Sequence, residues 1–252
     1  MFAIISLLAF ALSRLSCFII NYIPARMLHQ DKVAINEAID EKRYESNFSL
    51  KNSLLSSAKV AIFNKGEDGI CQLAWDCLFI STILFTFYHF GFTDKTYVIA
   101  IISFILLILT RIDINEMLLP DSLLLALLGV GFISNVYIFP FVVIEDAVIA
   151  MTGVFYGIYA FIKTFEFLRD KELMGRGDIK LYSVSFMFIP ASVFGSHIVI
   201  SSLFFLVHSF IYNALYKKEN SNPFPFGPAI CLSLYAHILF GDVFGHLIGI
   251  LQ

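Results

Sequence analysis

The sequence predicts an all-α, polytopic integral membrane protein with about eight transmembrane helices. The first reason is composition: of 252 residues, 58% are hydrophobic, only 15% are charged and 28 are phenylalanine. That is far outside the soluble range and makes lipid the main solvent. The second is spacing, because the apolar residues gather in runs of about 20, long enough as helices to cross a hydrocarbon core of roughly 30 Å with every backbone polar group satisfied internally. The third is the placement of basic residues in alternate loops, which matters more than the net charge of −3. Nothing in the composition points to nucleic acid.

The runs fall at 2–24, 72–92, 96–112, 122–140, 142–167, 181–193, 195–216 and 227–250. The first has no basic residue before Arg14 and no clear small-residue cleavage site, so it is read as a span rather than a removed signal peptide. Residues 25–71 carry Arg26, Lys32, Lys42, Arg43, Lys51, Lys59 and Lys65, too much charge for lipid, and are expected outside the membrane with some amphipathic helix. In the fifth run, Gly153 and Gly157 share a helical face and invite close approach of a neighbouring helix. Between 181 and 216, Pro190 and Gly195 offer a place to turn, which divides that stretch into two short spans. The chain therefore divides into a first transmembrane helix (1–24), a cytoplasmic segment (25–71) and a seven-helix domain (72–252).

Alternating sides from the first loop, one face collects Arg111, then Arg169, Lys171, Arg176 and Lys180, then Lys217 and Lys218, while the other receives only Lys95. Basic residues stay on the cytoplasmic side, so both ends of the chain are expected outside the cytoplasm. Splitting 181–216 is what keeps all the basic loops together.

Three segments carry candidate chemistry, all on that basic face. RIDINEMLLPD (111–121) places Asp113 directly after an apolar run, at a membrane edge where an ionisable group is costly. Read locally, Asp113 to Glu116 simply end one helix, and Pro120 with Asp121 start the next as first-turn proline and cap. MGRGDIK (174–180) has Gly175 and Gly177, which permit close backbone approach, before Asp178, which opens the next helix. A turn with a capping aspartate explains that segment alone nearly as well. NPFPFGPA (222–229) puts Pro225, Phe226, Gly227 and Pro228 ahead of the last run, a rigid, non-helical approach suited to the wall of a site or to a simple helix restart.

Taken together the segments say more. Two carboxylates brought close cannot both ionise easily, so one keeps a proton near neutral pH while the other activates water. That pair can hydrolyse an amide without metal or covalent intermediate.

An aspartate followed by LPD, then GxGD about 65 residues later, then PFGP before a final span resembles the type IV prepilin peptidases, aspartic leader peptidases of the GxGD class. The resemblance covers residues 72–250. It implies Asp113 and Asp178 as the catalytic aspartates, with Pro120, Asp121, Gly175, Gly177, Pro225, Phe226, Gly227 and Pro228 shaping the site. It also implies cleavage of the basic leader from type IV prepilin or pseudopilin precursors at the cytoplasmic face of a bacterial inner membrane, with substrate and enzyme both held in lipid. Many members then methylate the new N-terminus using S-adenosylmethionine, a second activity that stays open here.

The family usually carries two CxxC pairs in its first cytoplasmic segment. Cys17, Cys71, Cys77 and Cys231 form none, so no zinc is expected and cleavage needs no cofactor. Arg111, two residues before Asp113 on another helix face, reads as a headgroup anchor. Asp76 lies where the family often has a glutamate and is expected to support the site. His89, His197, His208, His237 and His246 are scattered without metal-ligand spacing. Competing readings are another GxGD intramembrane protease, of the signal-peptide-peptidase kind, and a transporter or inactive pilus-assembly platform whose aspartates bind a cation or cap helices.

Overall fold

The computed structural model describes residues 2–39, 69–169, 174–216 and 224–250; most of the charged segment 25–71 lies outside the described residues. The described residues form helices and their connections, with no strand among them. They are α1 (Phe2–Ile39), α2 (Gly69–Phe90), α3 (Asp94–Glu116), α4 (Asp121–Ile133), α5 (Ile144–Arg169), α6 (Arg176–Ser185), α7 (Phe194–Tyr216) and α8 (Gly227–Ile250). A π-type turn, Ser134–Ile138, extends α4, and a 3₁₀ turn, Ala191–Val193, leads into α7. Four stretches are long and apolar enough to cross a membrane: Asp94–Glu116, Asp121–Ile138, Ile144–Arg169 and Ala191–Ile211. Shorter apolar helical stretches run over Ile4–Ile20, Ala74–Phe90 and Gly227–Gly241.

The chain forms two compact units, Met1–His89 and Phe90–Gln252. In the first, α1 continues through Pro24 to Ile39, so the expected boundary at 24 marks a change of composition and not a helix end. The residues that follow Pro24 include the helix formers Ala25, Arg26, Met27 and Leu28, which carry the backbone onward. Ile5, Ala9, Ser13, Ser16, Cys17 and Ile20 form a buried stripe on α1, as do Asp76, Phe79, Ile83 and Phe87 on α2. Polar groups tie the two: Ser13 donates to Asp76, and Arg14 forms an ion pair with it.

In the second unit α3 is the central helix. Val98, Ile99, Ile102, Leu106, Ile108, Leu109 and Ile112 are buried around its circumference, where α4 and α8 pack against it. Thr93 opens it, its Oγ1 accepting the Thr96 N–H at 3.3 Å. The run 181–193, expected as a span, takes a different form. Helix α6 ends at Ser185, after ten residues, and the chain then turns through Phe186–Ile189. Ten helical residues rise about 15 Å, half a hydrocarbon core. The run is apolar because Leu181, Phe186, Met187 and Ile189 are buried in protein rather than facing lipid.

Side chains anchor this short element from both sides. Asn135 in the π turn donates to the Met187 carbonyl at 2.7 Å and accepts the Phe141 N–H at 2.8 Å. Ser183 donates to the Met151 carbonyl of α5 at 2.6 Å. The backbone of Gly131 approaches so closely that an added methyl would stand 2.8 Å from Met187 Cβ. Gly153 and Gly157 behave otherwise: no atom lies within 4 Å of where a methyl would point, so the close helix packing expected there has no partner among the described residues.

Candidate active site

Asp113 lies in the last turn of α3 and is buried, 5% exposed. Its backbone carbonyl accepts the N–H of Met117, which adopts a left-handed conformation (φ 52°) and ends the helix. Its carboxylate Oδ2 accepts the Gly227 N–H at 2.9 Å. Gly227 is the first residue of α8, so this N–H is one of the amides a helix start leaves unpaired, at the positive end of the helix dipole. Pro228 next to it loses nothing by lacking an N–H in the first turn. Gly227 must be glycine here: a methyl would stand 2.6 Å from Asp113 Oδ2.

Asp178 comes from the start of α6. Gly175 is the N-cap, so Arg176 is the first helical residue and Asp178 the third, reaching back to a backbone hydrogen bond with Gly175. It therefore sits deeper in the helix than the capping position expected for it. Burial raises its proton affinity from 3.8 to about 7; the charge of Asp113 adds to the rise, and the Gly175 bond opposes it. The geometric sign that the segments meet is that both Gly177 and Gly227 lie against Leu119.

Leu119 joins the three motifs. A methyl at Gly177 would lie 2.8 Å from Leu119 Cβ, and one at Gly227 would lie 3.3 Å from Leu119 Cδ2. Pro120 is buried and serves as the N-cap of α4, one position earlier than expected. Asp121 is the first helical residue and caps nothing; both its oxygens accept from Lys180 Nζ, at 2.7 and 2.8 Å. It thus points to α6, at the site's rim. Phe226 packs its ring on Tyr182, whose hydroxyl bonds Ser201 of α7, and Pro225 is half-buried beside it.

Among the residues singled out, Gly227 borders Asp113, and Gly177 and Gly227 both border Leu119, which was missed together with Lys180 and Tyr182. Lys180 had a signal, since it follows Asp178 by two residues on a helix. Leu119 had one as well, as the first residue of the LPD motif. Arg111, expected as a headgroup anchor, is half-buried. Asp76 is engaged by Arg14 and Ser13 within the first unit. Among the described residues no three His, Cys, Asp or Glu side chains gather as a metal site would require.

The fold is that of a helical membrane protein, with Asp113 in the last turn of one helix and Asp178 in the first turn of another. Residues 99–216, which include both aspartates, match the type IV leader peptidase family. The chain is 33% identical over 164 residues to a prepilin leader peptidase/N-methyltransferase of Legionella pneumophila, covering 63% of this chain and 55% of that protein. It is 31% identical over 155 residues to the protein of the same name in Stutzerimonas stutzeri, covering 62% and 53%. The corresponding Pseudomonas aeruginosa protein is 30% identical over the same length and coverage. The chain spans about half the length of these curated relatives. No solved structure matches.

Proposed function

We propose that this chain is an aspartic endopeptidase that cleaves the leader from type IV prepilin or pseudopilin precursors. Asp113 and Asp178 are its catalytic pair, at the cytoplasmic face of an inner membrane crossed about eight times. The observation that supports this best is that Asp178, which burial makes hold its proton to about 7, also feels the charge of Asp113. Neutral Asp178 donates to the scissile carbonyl oxygen. Asp113, steadied by the Gly227 N–H, takes a proton from the attacking water as its oxygen bonds the carbonyl carbon. Collapse of the tetrahedral species breaks the C–N bond, and the amine leaves with a proton from the pair. A substrate with a polar leader and an apolar helix would cross the same membrane edge, and the names of the relatives supply the precursor class.

The test is purified protein in lipid or detergent with candidate precursors, read by mass spectrometry. Asp113→Asn and Asp178→Asn should each cut the rate by at least about 10³-fold without loss of membrane insertion. Near-normal cleavage by either variant removes it from the pair. Coupling of the aspartates to ion flux with cleavage untouched would instead favour a transporter. The same spectra, with and without S-adenosylmethionine, show whether the new amine gains a methyl group, the second activity we propose. Chelators should leave cleavage unchanged, because no thiolate pairs are available for zinc.

A further inference from the structure

The glycines of the second and third motifs share one neighbour from the first, Leu119, the uncharged leucine of LPD. A methyl at Gly177 would meet Leu119 Cβ at 2.8 Å and Cδ1 at 3.3 Å, and one at Gly227 would meet Leu119 Cδ2 at 3.3 Å. All are inside the ordinary carbon–carbon contact of about 3.5–4.0 Å. Leu119 is thus in contact with two backbones at once: the one that leads into Asp178 and the one that donates to Asp113. Its own place is fixed on both sides. Met117 turns the chain out of α3 four residues after Asp113, and Pro120 and Asp121 start α4, with Asp121 tied across to Lys180 of α6.

We propose that Leu119 is a positioning residue for the aspartate pair, a wedge between the Gly177 and Gly227 backbones that sets how far Asp178 stands from the Asp113–Gly227 hydrogen bond. The glycines, on this view, are small chiefly to receive it. Its catalytic consequence rests on the peptidase reading above; its geometry does not. A shorter side chain opens a gap, lets the two helix starts drift and admits water to the pair. An added methyl at Gly177 pushes the starts apart. Displacements of this kind, on the order of 1 Å, cost about 100-fold in rate.

The test compares full-length variants in detergent by cleavage kinetics over a range of pH. The protonated carboxyl of Asp178 is followed in parallel by infrared spectroscopy, with Asp178→Asn identifying its band. Leu119→Ala should lower kcat far more than it raises KM and move the pH profile, whereas Leu119→Met should retain most activity. Gly177→Ala should lose about 100-fold. Combining it with Leu119→Gly should recover about tenfold or more, since only loss of Leu119 Cβ removes the 2.8 Å contact with the methyl. Gly227→Ala should gain nothing from Leu119→Ala, because its methyl also lands 2.6 Å from Asp113 Oδ2.

Absence of recovery in the Gly177→Ala pair overturns the proposal, as does a Leu119→Ala enzyme with wild-type kcat and pH profile. If Gly177→Ala alone does not accumulate, a folded, monodisperse double variant supports the wedge, and a double variant that is equally lost overturns it. If the wild-type protein cleaves no precursor, the peptidase reading falls by itself. The infrared midpoint then decides: a shift in Leu119→Ala from about 7 toward 3.8 supports the wedge, and an unchanged midpoint overturns it.

Discussion

Asp178 is the residue whose environment has the clearest measurable effect. A carboxyl whose folded value is raised binds its proton more tightly in the folded state than in the unfolded one. The stability this gives is fully present below the ordinary value of 3.8 and is lost as the pH rises through about 7. Asp178→Asn, which keeps the shape without the charge, should therefore melt above wild type at pH 8, with the difference shrinking as the pH falls toward 4. Cleavage by the wild-type protein should decline over the same upper range, as the proton leaves. Asp121 offers the contrast: its pair with Lys180 is exposed, 63% and 41% for the two side chains, and such pairs contribute about 0.2–1 kcal/mol. Asp121→Asn should lower kcat/KM by less than about tenfold, measured beside Asp178→Asn. Asp113 drew notice in the sequence because a charge at the end of an apolar run needs a reason, and Asp178 because it closes a GxGD motif. The partner of Asp121 was not legible there, because an ion pair 59 residues apart in sequence leaves no local trace.

At the level of elements, each helix among the described residues overlaps an apolar run, and one run was misjudged. The stretch 181–193 is apolar for burial in protein, and a hydropathy run does not distinguish a protein interior from lipid. Two polar residues interrupt the stretch, Ser183 and Ser185, which donate to the Met151 and Leu181 carbonyls. Glycine readings failed in the same way. Gly153 and Gly157 have the spacing associated with close helix packing and have open space beside them, whereas Gly131, without that spacing, carries the tight contact to Met187 and Phe188. Gly131→Ala should thus destabilise by about 1–3 kcal/mol, seen as a lower melting temperature in detergent. Gly153→Ala should be neutral or stabilising by up to about 1 kcal/mol, as expected in a helix interior with room for a methyl.

At the scale of the whole molecule, the charge asymmetry of the loops makes an orientation prediction that is independent of the site. Reporters inserted near Lys95 should read as external, and those after Lys51, Lys171 and Lys218 as cytoplasmic. A cytoplasmic Lys95 loop would reverse the face on which the precursor leader must be presented. The chain's membrane character was plain from composition, since 58% hydrophobic residues cannot be buried by a protein of this size alone. The number of crossings was harder to read, because α6 contributes apolar residues and too little length.

The bond from Gly227 to Asp113 joins residues 114 positions apart, and its donor begins the last described helix. A chain emerging from the ribosome meets the bilayer in order, so Asp113 and Asp178 are both inserted before the amide that steadies the first of them has been made. The centre is therefore incomplete throughout most of synthesis, and its own neighbouring nascent helices pass the two carboxylates while these are still unassembled. The contact between Asp113 and Gly227 thus forms only after both aspartates have been made, which places it late in the assembly of this part of the chain.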